Sequence, residues 1–259
     1  MISITIDCEE WNSPLLRGII VKENNNTDFS RKGNKNLLKL LDKYNIKATF
    51  FITGYFAERE KKQVKEILKR GHEIACHGYS HFYRKNKNLD IENDVKKSKK
   101  IIEKITKKKV LGFRAPQMQF SLELIKILDK QGFKYDSSVH PAFLPGYYYN
   151  FNYPLNIYKP IKNLKIREIP TAVIPFLRLP INWVFMRNLG YKWASLGVNS
   201  LLKKDITPVL YFHSWEFTKL NSRYVPYLWK RNTGEKFCLE LEKLLKRFKD
   251  EKFVKMHEL

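Results

Sequence analysis

The sequence predicts an α/β fold, a parallel sheet closed or nearly closed into a barrel, formed as one domain over residues 1–259. Three observations predict it. Short apolar runs rich in β-branched and aromatic residues alternate with amphipathic helical stretches at a spacing suited to βαβ units. Residues with metal-binding or acid-base chemistry stand at the ends of several of those runs, as expected where parallel strands end on one rim. The length, with 43% hydrophobic and 14% aromatic content, suits one packed core and excludes a disordered chain.

The elements follow in order. Residues 2–6 read as a strand that runs into Asp7-Cys8-Glu9-Glu10, and 14–32, polar and rich in Asn, read as a long loop on the rim that carries the site. Leucines at helical spacing place a helix over 34–44, followed by a strand at 47–52 and a helix over 58–70 stopped by Gly71. The next strand, through Ile74-Ala75-Cys76, delivers His77 and His81. A helix over 90–106, a strand at 110–113, a helix over 121–131 with Ser121 as N-cap and Gly132 as terminator, and a short strand at 133–136 continue the alternation. Between 140 and 180 the rhythm breaks, with seven prolines and the run Tyr147-Tyr148-Tyr149; one strand is expected there, at 164–169, and the rest reads as an elaborated loop that shapes a substrate groove. Residues 181–202 read as one helix packed on the barrel, 208–212 as a strand ending at His213, and 234–248 as an amphipathic helix.

Charge is the unusual bulk property. The 49 Lys and Arg against 26 Asp and Glu give +23, which favours an anionic partner: nucleic acid, an anionic membrane surface or an acidic glycan. No nucleic-acid module signature accompanies it, so specific nucleic-acid recognition is not expected, and lysine runs such as 94–100 read as solvated helix faces. Cys8, Cys76 and Cys238 are scattered, without the spacing of a disulfide framework or a structural zinc site. With the first strand starting at Ile2 and no apolar run of about 18 residues, a cytoplasmic protein is expected, with peripheral membrane contact through its basic surface.

His77 and His81, four residues apart, are spaced to close on one metal ion, and such a pair needs a third ligand. Asp7 and Glu9 lie at the end of another strand, and in an extended segment they project to one side while Cys8 points to the other, so either acid could complete the set. Arg114, Asp136 and His213 stand at further strand ends.

In this order and spacing, Asp7-x-Glu9, His77-x-x-x-His81, Arg114-Ala115-Pro116, Asp136-Ser137-Ser138 and His213-Ser214-Trp215-Glu216, the chain resembles the polysaccharide deacetylase family over 2–216. It resembles most the branch whose first motif reads Asp-x-Glu and whose last ends His-x-Trp-Glu, associated with exopolysaccharide loci. The resemblance implies a distorted (β/α)7-type barrel and removal of acetyl groups from N-acetylated sugars of a glycan or glycan precursor. It implies a divalent ion, commonly zinc, held by His77, His81 and an acid, with Asp7 as general base and His213 as the acid for the leaving amine. Arg114 would orient Asp7, Asp136 would hold His213, and Trp215 and Pro116 would line the substrate. The chain departs from the family where most members have a second Asp: Cys8 stands there and Glu9 follows, which makes Glu9 the expected third ligand and Asp7 its competitor. Gly78 stands where many members carry Ser or Thr. Two other readings compete: hydrolysis of a non-sugar amide such as a cyclic ureide or imide, and a catalytically silent basic binding module.

Overall fold

The run Ser3–Cys8 (β1) is buried along its whole length, so both faces are covered: Ile4, Ile6 and Cys8 enter the apolar core, while Thr5 and Asp7 on the other face meet Arg114. It lies inside the sheet, paired in parallel with Thr49–Ile52 (β2) on one side and Val209–His213 (β9) on the other. A computed structural model, describing residues 1–83, 86 and 88–259, extends this to seven strands in the order β8-β5-β4-β3-β2-β1-β9, all neighbours parallel. The others are Glu73–Cys76 (β3), Gly112–Phe113 (β4), Tyr135–Asp136 (β5) and Arg167–Glu168 (β8). A separate antiparallel hairpin, Phe143–Leu144 (β6) with Tyr148–Tyr149 (β7), rises from the proline-rich segment.

The sheet curls without direct pairing of its two edge strands. Asn182 spans the gap: its Nδ2 donates to the Ala172 carbonyl at 2.9 Å and its Oδ1 accepts from the Tyr211 amide at 3.1 Å. Beside it the Ala172 amide donates to the Val209 carbonyl at 2.8 Å. One buried side chain thus satisfies edge groups that a closed barrel would pair strand to strand.

Helices cover the outside: Ser13–Leu16 (α1), Asp28–Lys43 (α2), Gly54–Arg59 (α3), Lys61–Lys69 (α4), Ile91–Thr106 (α5) and Leu122–Lys130 (α6). Trp183–Leu189 (α7), Tyr191–Leu202 (α8), Tyr227–Lys230 (α9) and Glu235–Arg247 (α10) complete them. Ser121 caps α6 as expected, its side chain accepting from the Leu124 amide at 3.1 Å. Three expectations change. The loop expected over 14–32 contains α1, and α2 begins at Asp28 because Ser30, Gly33 and Asn34, though polar or small, are buried inward positions that hydropathy passes over. The helix expected over 58–70 is preceded by a turn of helix capped by Thr53, whose hydroxyl accepts from the Phe56 amide. The single helix expected over 181–202 is two, broken at Gly190 with φ +81.

Gly33 sets how closely α2 approaches the turn after β9. A Cβ there would lie 1.8 Å from the Ser214 carbonyl oxygen, and Asn36 Nδ2 already donates to the Phe217 carbonyl of the same turn at 2.8 Å. Glycine to alanine inside a helix normally gains about 1 kcal/mol. Here the backbone clash wins, and Gly33→Ala is expected to destabilise by about 2–3 kcal/mol in denaturant titration, since overpacking against backbone leaves no side chain to yield.

Candidate active site

Strand register assembles the site. The β1–β9 pairing sets Asp7 directly beside His213, 206 positions away, at the carboxyl ends of adjacent strands. The β3–β4 pairing joins Cys76 to Phe113, so that His77 and Arg114, the next residues, leave the sheet together. Strand ends on one rim therefore collect what lies far apart in sequence.

Glu9, His77 and His81 come together there as a cluster of three donors, all within 4.8 Å of one another. Glu9 Oε2 is 2.9 Å from His81 Nε2 and 3.5 Å from His77 Nε2. Each member is braced from behind. His77 Nδ1 lies 2.7 Å from the Arg114 carbonyl, which can only accept, so Nδ1 carries the proton and the Nε2 lone pair faces Glu9. Glu9 Oε1 accepts from Trp215 Nε1 at 3.1 Å. The His81 backbone amide donates to Glu10 Oε1 at 2.6 Å, and Gln117 Nε2 donates to the His81 carbonyl at 2.9 Å. Burial alone would push Glu9 up; the neighbouring His81 imidazole outweighs it and holds its carboxyl well below the usual carboxylate range. Cys8 turns away, as alternation requires: its thiol accepts from Asn34 at 3.0 Å, and burial pushes it up to about 12.

The loop between the two histidines explains Gly78. Its φ is +67, and a Cβ would meet the Tyr83 hydroxyl at 2.5 Å. Tyr83 bonds Asp94 of α5, which also accepts from the Tyr79 amide at 2.9 Å, and Ser98 Oγ donates to the Gly78 carbonyl at 2.6 Å. A Tyr83–Asp94 brace thus does what a Ser or Thr side chain at 78 would otherwise do.

Asp7 faces Arg114. Arg114 Nη1 donates to Asp7 Oδ1 at 2.7 Å and to Thr5 Oγ1 at 2.9 Å, and its Nε and Nη2 donate to the Ser137 carbonyl and hydroxyl, each at 3.0 Å. Asp7 is thereby engaged by the guanidinium, and Glu9, not Asp7, is the acid that reaches the imidazoles.

His213 is held otherwise than expected. Its Nδ1 lies 3.3 Å from Glu216 Oε1, one turn on in the 3-10 segment Ser214–Phe217, and its ring stacks on Trp215 at 5.0 Å. Asp136, expected to hold it, accepts from Ser138 Oγ at 2.7 Å and lies beside Glu168, whose carboxyl burial and the neighbouring Asp136 push well above the usual range. The Asp136 carboxyl turns instead toward Ser138 and toward Glu168 on the neighbouring strand. Trp215, expected on the substrate wall, is 5% exposed and stands behind Glu9; Pro116 is likewise buried. The half-buried Trp183 stands edge-on to His213 at 5.1 Å. Sequence reasoning assigned no role to Glu10, Gln117, Arg187 or Glu216. Only Glu216 carried a signal, three residues after His213 in a turn-forming segment.

Comparison with known proteins finds matches along most of the chain. The polysaccharide deacetylase profile matches residues 27–135, and a domain of unknown function, DUF3473, matches 137–259. A peptidoglycan deacetylase of Helicobacter pylori is 37% identical over 155 residues, 57% of this chain and 52% of that protein. The chain is similar to the polysaccharide deacetylase family over residues 27–135. It spans about half the length of that relative. Among solved structures, a Mycobacterium smegmatis protein assigned as a polysaccharide deacetylase superposes with TM-score 0.70 at 19% identity, covering 96% of this chain and 83% of that one. Puue allantoinase superposes at 0.71 with 13% identity, covering 99% and 87%, a likeness of fold. The two matched segments of the chain meet in one sheet, since β2 to β4 lie in the first and β8 and β9 in the second.

Proposed function

We propose that the protein is a metal-dependent hydrolase that removes acetyl groups from N-acetylated sugars of a glycan, with residues 1–259 acting as one catalytic unit. The observation that carries this is the buried Glu9, His77 and His81 cluster flanked by Asp7 on Arg114 and by His213 on Glu216. The donors fit a divalent ion of the zinc type: one carboxylate oxygen and two Nε2 atoms, with His77 Nε2 buried and lacking a hydrogen bond among the described residues. When bound, such an ion polarises an amide carbonyl and makes water acidic enough to attack near neutral pH.

The chain's own groups supply the rest. Asp7, fixed by Arg114, takes the proton of the attacking water. His213 gives a proton to the departing sugar amine as the C–N bond breaks, leaving acetate. Burial opposes the imidazolium, but the hydrogen bond to Glu216 and the charges of Glu9, Glu216 and Asp7 outweigh it, raising the His213 pKa above the ordinary 6.5. The protonated ring is the useful form. Activity is therefore expected to persist through neutrality and to fall as pH rises through that raised value, read as the alkaline limb of kcat/KM.

The purified protein with Zn²⁺ or Co²⁺ should release acetate from N-acetylglucosamine oligomers and peptidoglycan fragments. No release across such a panel would overturn the reading, and release of ring-opened product from a cyclic ureide instead would transfer the same site to a non-sugar amide.

A further inference from the structure

His213 reaches the site from the region that matches only a domain of unknown function, and the groups behind it come from the same region. Its Nδ1 faces Glu216, whose side chain is fully buried. A buried carboxylate needs a cation, and the one facing Glu216 is Arg187 on α7, with Nε 3.6 Å from Oε1 and no side-chain exposure of its own. Arg187 is boxed in place. Its guanidinium lies over the rings of Trp183, Trp215 and Phe237 at 5.9, 5.8 and 6.0 Å, and its Nη1 donates to the Arg231 carbonyl at 2.8 Å. Two of those rings, Trp183 and Trp215, also pack on His213.

We propose that Arg187 is a positioning residue for His213, acting through Glu216, so that the segment 137–259 completes the catalytic centre rather than merely closing the sheet. The inference rests on the deacetylase reading for the use made of His213, though not for the contact itself. Arg187 places a cation against the buried Glu216 carboxyl and holds it in line with His213. Glu216 accepts a hydrogen bond from His213 Nδ1, which fixes the tautomer and leaves Nε2 as the position that gives or takes a proton. The other charged groups acting on His213 are Asp7 and Glu9 at the end of β1 and His81 from the loop after β3; none of them bonds its Nδ1 among the described residues.

The test is a ¹⁵N–¹H titration of the imidazoles with excess Zn²⁺ present, the His213 resonances being assigned by their loss in His213→Gln. Glu216→Gln and Arg187→Met should each lower the His213 midpoint by about 1 pH unit or more, the scale of losing one close opposite charge, and Arg187→Lys should restore most of it. Should Arg187→Met fail to fold, Arg187→Gln keeps an N–H for the Arg231 carbonyl and answers the same question. The alkaline limb of kcat/KM should move down by the same amount with bound metal unchanged, a displacement that a purely structural arginine would not produce. A His213 midpoint unmoved in folded neutral variants at 187 would overturn the proposal. Because the titration needs no substrate, it decides the relay even if wild type releases no acetate, an outcome that would count against the deacetylase reading alone.

Discussion

His77→Ala is expected to lower acetate release by at least about 10³-fold and to leave the purified protein without stoichiometric divalent metal. The ring is 1% exposed, and its Nδ1 is pinned to the Arg114 carbonyl at 2.7 Å, so it has one orientation and one free lone pair. Alanine removes that lone pair and leaves only Glu9 and His81 to hold an ion. An ion that brings water from a pKa near 15.7 to near 7 contributes several kcal/mol to the barrier, and each 1.36 kcal/mol is tenfold in rate, which sets the size of the expected loss at about three decades or more. Metal analysis and an acetate assay on the same preparation check it. Full activity in a metal-free variant would remove the ion from the mechanism.

The metal-binding half of this site was legible because it depends on strand ends, and strand ends show in sequence as apolar runs that stop at a polar residue. His77, His81, Asp7 and His213 all follow such runs, and parallel pairing then puts them on one rim. Alternation put Asp7 and Glu9 on one side and Cys8 on the other, as the Cys8 thiol on Asn34 shows, and the family resemblance, with Cys8 in place of the second Asp, singled out Glu9. What stayed hidden depends on contacts between elements that alternation does not encode. Whether His213 meets Asp136 or Glu216 is decided by how side chains pack around the rim, and one sequence contains no statement of that packing. Arg187 carries no role in the sequence because nothing local marks it as buried; only the packing of α7 against the turn after β9 pairs it with Glu216. The inward face of the start of α2 was missed for a related reason. Ser30, Gly33 and Asn34 are buried there to bond the Glu9 carbonyl, to admit the Ser214 backbone and to reach the Cys8 thiol, uses that hydropathy scores as surface.

Asp7→Asn should separate proton transfer from metal binding. Activity is expected to fall by about 10²–10⁴-fold, the usual contribution of a general base, while stoichiometric metal is retained because Glu9, His77 and His81 are untouched. The same substitution tests the buried ion pair. Arg114 is 0% exposed, with its guanidinium 4.1 Å from the Phe51 ring, and its remaining partners are the neutral oxygens of Thr5 and Ser137. Deleting one partner of such a pair costs about 3–5 kcal/mol. Asparagine keeps a carbonyl oxygen where Oδ1 stood, so the hydrogen bond survives without its charge, and the expected loss is smaller, about 1–3 kcal/mol in denaturant titration. Arg114→Met, by contrast, strands the Asp7 carboxylate and releases the His77 carbonyl brace only through backbone movement, so it should cost the full amount in stability while binding metal once folded. If Asp7→Asn lost metal as His77→Ala does, Asp7 would be a ligand and the assignment of Glu9 would fall. Retained metal with an intact rate would instead leave the attacking water without the base assigned to it, since the nearest other carboxylate, Glu9, already faces both imidazoles.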